Sequence, residues 1–402
     1  MRVAIIGGGA AGFFSAISAK TNHSNAEVVL FEKTDKLLAK VRISGGGRCN
    51  VTHACHGARK LASNYPRGER FLRKAFEQFA VKDTVDWFAQ RNVDLKTELD
   101  GRMFPTTDDS RSVITALMDE AEQLKIQVRL KCAVIGIERS GDRFQVSLSN
   151  DCVELYDRVI VTTGGSPKPE TYSWLKALGH TIVPPAPSLF TFNMPADPIR
   201  ELMGVVVPAR VRIIGTDVES KGPLLITHWG MSGPAILRAS AWGARVLQER
   251  GYNFSVQINW LAGMSEDHAR QFLTEHADEF DRKQIGNANP FTLPKRFWSF
   301  ILNKAGVSSD SIWSQIPKKD KNRMIDLLTN DRYEVRGKTT FKEEFVTAGG
   351  ISLEEVSPFT MQSTVVPELY FAGEVLDIDG ITGGFNFQAA WTTGHIAGLL
   401  KN

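Results

Sequence analysis

The apolar positions at the start of the chain follow a strand-like, then a helix-like, then a strand-like pattern. Residues 3–6 form a short apolar run, residues 13–20 combine apolar and small side chains, and residues 27–31 form a second apolar run. Two short apolar runs on either side of a helix predict a strand–helix–strand unit with parallel strands.

A glycine-rich turn joins the first predicted strand to the first predicted helix. Residues 7–12 read GGGAAG, and Glu32 follows the second strand, 20 residues after Gly12. Gly7 permits a tight turn, Gly9 lets a pyrophosphate approach the backbone, and Gly12 lets the helix pack against the strand. The helix N-terminus offers N–H groups to phosphates, and Glu32 can accept hydrogen bonds from ribose hydroxyls. The unit predicts a dinucleotide site for an adenosine without a 2′-phosphate.

The pattern changes near residue 191. Short β-like runs follow it, and then come predicted helices that open after Ser265, Pro294 and Pro317. We expect residues 191–336 to form an inserted substrate domain with a β part followed by a helical part. The insertion would interrupt a nucleotide-binding domain built from residues 1–190 and 337–402.

Composition narrows the possible classes. A chain of 402 residues with 42% hydrophobic content suits a globular protein, and no segment has the 18 unbroken apolar residues of a membrane span. Cys49, Cys55, Cys132 and Cys152 form no CxxC pair and no zinc-spaced cluster, so no metal site is expected. We expect a cytoplasmic protein with reduced thiols and no membrane partner. The net charge of +3 does not by itself argue for nucleic acid.

A second glycine-rich segment, SGGGRCNVTH, occupies residues 44–53. It predicts a mobile loop rich in N–H donors, which can wrap a phosphate or the edge of a heterocycle. Arg48, Cys49 and His53 would bring a cation and two candidate proton donors to the same loop. A plain surface turn is the alternative.

These motifs together resemble the YhiN/BaiN-like (RdsA-type) family of bacterial FAD-dependent oxidoreductases. Besides residues 7–12 and 44–53, three later segments are similar to family motifs: residues 227–235 (THWGMSGPA), 345–351 (FVTAGGI) and 369–390. The resemblance spans nearly the whole chain. It implies an α/β fold, with a two-part Rossmann-like FAD-binding domain and an inserted β-plus-helical domain, and it implies non-covalent FAD.

The candidate cofactor-binding residues lie in the glycine-rich segments or at predicted strand exits. Gly383 and Gly384 open a final helix whose N-terminus can face the N1–C2=O edge of the flavin ring, where it would favour the reduced form. The full set is Gly7, Gly9, Ala10, Ala11, Gly12, Glu32, Lys33, Lys40, Ser44, Gly45, Gly46, Arg48, Cys49, Asn50, Thr163, Gly164, Gly165, Gly373, Glu374, Asp377, Gly383, Gly384, Phe385, Asn386, Gln388 and Ala389.

The chemistry is expected to be hydride transfer at flavin N5, with a proton donor supplied by the protein. The chain has one GxGxxG motif, so NAD(P)H would bind only transiently as an electron donor, if it is the donor. The candidate catalytic residues are Cys49, Arg48, His228 and His53, and Cys49 is the first choice for the acid. Each has a structural alternative as a packed or hydrogen-bonded loop residue.

The resemblance implies three substrate classes, because family members are associated with uracil reduction in ribosomal RNA, oxidation of small amines and reduction of steroid-like double bonds. Our leading hypothesis is reduction of a uracil C5=C6 bond in ribosomal RNA to dihydrouridine. The enzyme alternative is a small-molecule oxidase or reductase, and the non-enzyme alternative is an RNA-binding or assembly factor with a structural flavin.

Two basic patches are compatible with an RNA partner. The first contains Arg67, Arg70, Arg73 and Lys74, and the second contains Lys318, Lys319, Lys321 and Arg323. Charge runs of this kind usually form solvated helix faces, and the alternative is an RNA site in which nearby aromatic side chains could stack on bases. These aromatic residues are Tyr65, Phe71 and Trp313.

Overall fold

The computed structural model of the chain describes residues 1–339 and 346–401, so Phe345 of the FVTAGGI motif lies outside the described residues. Its helices are numbered in chain order: α1 (Ala10–Asn22), α2 (Ala39–Ile43), α3 (Ala58–Ala62), α4 (Glu69–Ala75), α5 (Val81–Ala89), α6 (Ser110–Gln123), α7 (Ser173–Ala177), α8 (Pro234–Glu249), α9 (Glu266–Glu275), α10 (Ala277–Phe280), α11 (Lys295–Ala305), α12 (Lys318–Thr329) and α13 (Phe385–Gly398).

The strands of the described residues are numbered in the same way: β1 (Arg2–Ile6), β2 (Glu27–Phe31), β3 (Thr52–His53), β4 (Leu95–Thr97), β5 (Arg102–Pro105), β6 (Gln127–Arg129), β7 (Val134–Ser140), β8 (Arg143–Leu148), β9 (Val153–Tyr156), β10 (Arg158–Val161), β11 (Ile182–Pro187), β12 (Thr191–Asn193), β13 (Val206–Ile213), β14 (Glu219–Ile226), β15 (Gly230–Ser232), β16 (Asn253–Asn259), β17 (Asp331–Arg336), β18 (Lys338–Thr339), β19 (Thr347–Ile351) and β20 (Leu369–Phe371).

The chain divides into two compact units, Met1–Ser188 with Lys342–Asn402, and Leu189–Phe341. The second unit is therefore inserted between two parts of the first. The boundaries predicted at residues 191 and 336 lie within a few residues of this division, and the role of the insertion as a substrate domain stays a prediction.

A five-stranded parallel sheet forms the centre of the first unit, in the order β20-β10-β1-β2-β6. In β1 and in β2, four of the five residues are buried. Such continuous apolar runs are typical of parallel strands covered on both faces. The carboxyl ends of these strands meet at one sheet edge, which is where open α/β sheets bind ligands. This confirms the Rossmann-like α/β prediction.

A seven-stranded antiparallel sheet forms the centre of the second unit, in the order β17-β16-β13-β14-β15-β12-β18. Helices α9 to α12 lie between β16 and β17 in the chain, so a β part precedes a helical part as predicted. The Ser265 hydroxyl caps α9 by accepting from the His268 N–H at 3.2 Å, and Gly306 closes α11 in a left-handed conformation. Strand β17, which was not predicted, returns after the helices to pair with β16.

For two segments of the first unit, the sequence alone predicts a structure that the fold does not have. The β-like run at residues 128–137 predicts one strand, but the structure has two, β6 and β7, which belong to different sheets. Residues 101–105 (GRMFP) predict a loop, but Arg102–Pro105 forms β5 between β3 and β4. A strand this short has too few residues for an alternating pattern, so its pairing comes from tertiary contacts.

Helices α1 and α13 pack closely through glycine and small residues. A Cβ built on Gly394 would lie 2.7 Å from the Ala11 carbonyl oxygen, and one built on Gly398 would lie 2.5 Å from the Ser15 carbonyl oxygen. Because both contacts advance by four residues in each helix, the two helices run parallel. Among the described residues, no helix is long and apolar enough to cross a membrane.

We predict that Gly394→Ala destabilises the FAD-free protein by about 1–3 kcal/mol, because the added methyl group overpacks a backbone contact. Gly243→Ala in α8 is the matched control. The three atoms nearest to its Cβ belong to the Leu247 and Ile213 side chains, at 3.0 to 3.2 Å, and not to backbone. Alanine also favours the helix. Thermal and urea unfolding would measure the free energy of unfolding of both variants. Equal stability of both variants would contradict the close α1–α13 contact.

Candidate active site

The turn after β1 explains its three motif glycines. Gly7 has φ of +120°, and a Cβ there would lie 2.5 Å from the Thr162 carbonyl oxygen. A Cβ on Gly12 would overlap the Gly7 carbonyl oxygen, whereas a Cβ on Gly9 would have nothing within 4 Å. No side chain caps the first turn of α1. The turn therefore presents N–H groups and open space, which is what an approaching phosphate requires.

Glu32 lies at the carboxyl end of β2, beside the glycine turn. One carboxylate oxygen accepts from the Gly8 N–H at 3.0 Å, and the other accepts from the Thr34 N–H and hydroxyl, each at 2.8 Å. These bonds fix the carboxylate next to the start of α1. The neighbouring Lys33 is exposed.

Residues Ser44–Gly47 of the SGGGRCN segment form a tight turn of 3₁₀ type, although its two middle residues are not in helical conformations. Gly45 and Gly46 take left-handed conformations with φ of 58° and 69°. Cys49 also has positive φ, at 62°, and its N–H donates to the Ser44 carbonyl at 3.0 Å. The Cys49 side chain is fully buried, and burial raises the pKa of its thiol to about 12. The thiol therefore stays neutral at ordinary pH and out of reach of solvent.

Arg48 is engaged by acidic and aromatic side chains. Its guanidinium donates to Glu98 at 2.6 Å and to Asp108 at 3.4 Å, and it lies 3.9 Å from the centre of the Phe104 ring. The hydrogen bond to Glu98 raises the pKa of the guanidinium. Arg48 thus fastens the glycine turn to neighbouring segments, and a catalytic role for it stays a prediction.

Asn50 and His53 join this segment to the start of α13. With its amide oriented to satisfy both partners, Asn50 donates to the Thr52 carbonyl and accepts from the Gly384 N–H, each at 3.0 Å. The Nδ1 atom of His53 lies 3.0 Å from the Gly383 carbonyl oxygen, and the imidazole stacks on the Phe385 ring. Two predicted segments that are far apart in sequence therefore meet at one helix N-terminus.

Glu374 connects three predicted cofactor positions. It accepts from the Lys40 ammonium at 2.7 Å and from the Thr347 N–H at 2.7 Å. A Cβ on Gly165 would lie 2.7 Å from the Glu374 carboxylate, so Gly165 is needed for this approach. Gly164 has φ of +74°, and Thr163 is exposed.

The remaining predicted residues near α13 differ in what they contact. Gln388 is fully buried, and its side-chain oxygen accepts from the hydroxyls of Thr52 at 2.6 Å and Thr84 at 3.1 Å. These bonds tie α13 to β3 and α5. The Asn386 side chain bonds both backbone polar groups of Gly380. The Gly373 N–H donates to the Thr393 hydroxyl at 2.9 Å, the Asp377 N–H donates to the Ile351 carbonyl at 3.0 Å, and Ala389 is buried.

Asp379 is an important residue that sequence reasoning missed. Its fully buried carboxylate accepts two hydrogen bonds from the Arg67 guanidinium and one from the Ser188 hydroxyl. Burial raises the pKa of Asp379, and Arg67 opposes that shift. A signal was present in the LDIDG sequence, which places a second acid two residues after Asp377.

His228 lies in the second unit, on the turn before β15. Its side chain is exposed, its ring meets Trp229 edge-on at 4.0 Å, and its carbonyl accepts from Arg200 at 2.6 Å. A Cβ on Gly230 would overlap the Phe192 carbonyl oxygen, which explains the glycine in this turn. A catalytic role for His228 stays a prediction.

The predicted stacking aromatics were wrong. Tyr65 is 0% exposed, Phe71 is 7% exposed and Trp313 is 1% exposed. The rings are buried, whereas Arg70, Arg73, Lys74, Lys318, Lys319 and Arg323 are exposed. Arg67 leaves the predicted basic patch, because its guanidinium bonds the buried Asp379 carboxylate. No group of three or more potential metal ligands occurs in the part of the chain that the structure describes.

We predict that alkylation of the native protein will label Cys152 first and leave Cys49 unmodified. Cys152 is exposed, whereas the Cys49 thiol is buried and has a pKa of about 12. Thiolate is the reactive form, so its fraction at Cys49 stays negligible up to about pH 9. Peptide mass spectrometry after iodoacetamide treatment at pH 7 and pH 9 would measure the alkylated fraction of each cysteine. Rapid native labelling of Cys49 would contradict the described burial, and labelling in urea is the control for reactivity.

Comparisons with known proteins agree with this architecture. The family model for the HI0933-like protein Rossmann domain matches residues 1–400. The ribosomal RNA dihydrouridine synthase of Escherichia coli (strain K12) is 30% identical over 398 residues, covering 97% of this chain and 95% of that protein. The 3-dehydro-bile acid delta(4,6)-reductase of Clostridium scindens is 28% identical over 406 residues, covering 99% of this chain and 98% of that protein.

A solved structure has a related fold. The 3-ketosteroid delta1-dehydrogenase of Sterolibacterium denitrificans aligns with a TM-score of 0.51 at 12% sequence identity, and the alignment covers 98% of each chain. The full-length family match and the parallel sheet with its glycine turn lead to the same conclusion. The chain belongs to the HI0933-like Rossmann-domain family, and it is a flavin-dependent oxidoreductase.

Proposed function

We propose that the protein holds FAD without a covalent bond and reduces the C5=C6 bond of a uracil base in ribosomal RNA. Two relatives of 30% and 26% identity carry the name ribosomal RNA dihydrouridine synthase. The second candidate function is reduction of a small enone, which the 28% identical bile acid reductase favours. Both substrates contain a carbon–carbon double bond conjugated to a carbonyl group, so the reaction class is the same.

The offset between the N-termini of α1 and α13 is the observation that carries the FAD proposal. Ala11, one residue into α1, lies against Gly394, nine residues into α13. Because the two helices are parallel, the first residue of α13 extends eight residues, or about 12 Å along the helix axis, beyond the first residue of α1. No side chain caps either first turn. An extended FAD would place its pyrophosphate at α1 and the edge of its ring at α13.

The residues beside these two helix ends fit the other parts of FAD. Glu32 would exchange its bonds to Gly8 and Thr34 for ribose hydroxyls, and the space at Gly9 would admit the pyrophosphate. Glu374, held by Lys40, would face the linking part of the molecule. The 3₁₀ turn at Ser44–Gly47 and the Asn50 contact to Gly384 would lie at the ring. The cofactor supplies hydride when reduced, and the positive end of α13 favours negative charge at the ring edge.

We favour His53 over Cys49 as the proton donor. Cys49 is fully buried, and a group buried beneath its own turn cannot contact a substrate atom. His53 is partly exposed, and its ring is oriented by the Gly383 carbonyl and by Phe385 at the start of α13. It would give a proton to uracil C5 as hydride reaches C6. Deletion of a positioned general acid typically costs 10²–10⁴-fold in rate.

The direct experiment is anaerobic reduction of the purified, FAD-loaded protein with dithionite, followed by mixing with substrate. Dithionite removes any dependence on the unidentified physiological donor. The proposal predicts flavin reoxidation and dihydrouridine formation with uridine-containing ribosomal RNA. Reoxidation by a 3-keto-Δ4 steroid alone would favour the second candidate, and no reoxidation by either would contradict the reductase proposal.

We predict that Gly9→Ala weakens FAD binding at least tenfold without lowering the stability of the FAD-free protein. The methyl group fits the free chain but occupies the space proposed for the pyrophosphate. Gly12→Ala should instead lower the stability of the FAD-free protein, because its methyl group overlaps the Gly7 carbonyl. Fluorescence titration with FAD and thermal unfolding would separate the two effects. Wild-type FAD affinity in Gly9→Ala would contradict the placement of the pyrophosphate.

We predict that His53→Gln slows substrate-driven flavin reoxidation by about 10²–10⁴-fold, whereas Cys49→Ala keeps more than a third of the wild-type rate. Both variants should retain FAD and be reduced by dithionite at the wild-type rate. Stopped-flow absorbance at the flavin band would measure each step. The opposite result, with Cys49→Ala inactive and His53→Gln active, would return the acid role to Cys49.

A further inference from the structure

A cluster of exposed cations covers helices α3 and α4 of the first unit. Its members, which we name the α3–α4 basic surface, are Arg59, Lys60, Arg70, Arg73 and Lys74, and all five are exposed. Among the described residues, none of the five is in an ion pair with an acidic side chain. Glu69 is also exposed at the start of α4, and it lines the same cavity as Arg59 and Lys60. Five cations with one carboxylate among them leave the surface positive, so it favours an anionic partner.

This surface is fixed to the loop that leads into α13. The Asn64 carbonyl, between α3 and α4, accepts from the Ile381 N–H at 3.0 Å. The buried Tyr65 hydroxyl donates to the Phe385 carbonyl at 2.6 Å. An anion bound on α3 and α4 would therefore be held next to residues 378–385, at the proposed ring end of the FAD site.

An exposed aromatic side chain lies beside Lys74, one of these cations. Phe359 is 52% exposed, and the Lys74 ammonium lies 5.5 Å from the centre of its ring. The Gln78 side chain donates to the Phe359 carbonyl at 3.1 Å, which fixes this backbone against the segment after α4. An exposed ring next to exposed cations is the arrangement that single-stranded nucleic acid recognition uses, with one group for bases and the other for phosphates.

We propose that the α3–α4 basic surface and Phe359 dock a single-stranded stretch of the RNA substrate. The cations contact the phosphates, and Phe359 stacks on a base that flanks the reacting uracil. This inference rests on the proposed function and names the surface through which its partner binds. A small enone would need neither the five cations nor the exposed ring, so the surface also distinguishes the two candidate substrates.

The test removes three positive charges from the α3–α4 basic surface. Its control removes three positive charges from a different surface, and the RNA affinities of the two variants are compared. Arg70→Gln, Arg73→Gln and Lys74→Gln are combined in one variant of the FAD-loaded protein. The control combines Lys318→Gln, Lys319→Gln and Lys321→Gln in α12 of the second unit, which changes the net charge equally. The buried Trp313 leaves that second patch without the aromatic partner expected there. Affinity for ribosomal RNA is measured at several salt concentrations.

The α4 variant should bind roughly tenfold or more weakly at 0.1 M salt. The slope of log affinity against log salt should decrease by about 2, since each phosphate contact to a single strand contributes about 0.7. The control variant should bind as the wild type does. Phe359→Ala should weaken RNA binding about 5- to 100-fold with an unchanged salt slope. Phe359→Tyr, which keeps an aromatic ring, should bind RNA as tightly as the wild type. FAD content and dithionite reduction report that each variant is folded.

Other outcomes separate this inference from the proposed function. If the α4 variant binds RNA with wild-type affinity and slope while the wild type forms dihydrouridine, the docking surface is wrong and the function stands. If both triple variants lose affinity equally, net charge alone explains binding and the inference fails. Loss of binding to phosphatidylglycerol vesicles, with RNA binding unchanged, would assign the surface to a membrane instead. Enone turnover by a wild type that makes no dihydrouridine would overturn both proposals.

Discussion

The close parallel packing of α1 on α13 is the constraint on which the candidate site depends. Glycines at positions 394 and 398 allow the backbones of these two helices to touch, with no side chain between them. This contact sets how far the start of α13 lies ahead of the start of α1. Because each helix N-terminus carries partial positive charge, the packing fixes two anion-favouring points at a defined separation. The two points belong to the first and last parts of the chain, and the site forms only when these parts come together.

A buried charge pair links the start of α13 to the surface around it. Asp379 is fully buried, and Arg67 and Ser188 satisfy its oxygens. Removing one partner of a buried pair typically costs about 3–5 kcal/mol, because an uncompensated charge remains. The pair therefore holds the loop at residues 378–385 against the segment between α3 and α4. We infer that the Arg67–Asp379 pair fixes the position of the α3–α4 basic surface relative to the proposed ring end of the FAD site.

The sequence was most informative where local chemistry decides the structure. The roles of Gly7 and Gly12 in the turn follow from backbone geometry, because Gly7 has positive φ and a Cβ on Gly12 would overlap the Gly7 carbonyl oxygen. The role of Gly9 at a pyrophosphate stays a prediction. Helix starts after Ser265, Pro294 and Pro317 were predicted because capping and proline effects are local. The parallel sheet followed from runs of apolar residues that are buried on both faces.

The sequence was less informative where tertiary contacts decide. Nothing near Arg48 in the sequence indicates that Glu98 and Asp108 engage it, or that burial makes the Cys49 thiol a poor proton donor. Tyr65 and Trp313 read as potential stacking residues because a one-dimensional pattern does not show which side of a short helix faces the core. Asp379 escaped notice for the same reason, since its partners lie far away in sequence. Phe359 becomes a candidate only through its position beside Lys74.

Nucleoside mass spectrometry of ribosomal RNA from cells with and without this gene decides whether the protein reduces uracil in ribosomal RNA. A dihydrouridine signal should disappear when the gene is deleted and return with the wild-type gene. It should not return with a gene encoding Gly9→Ala and Gly12→Ala together, because that variant should not retain FAD. An unchanged dihydrouridine level in the deletion strain would contradict the proposed reaction.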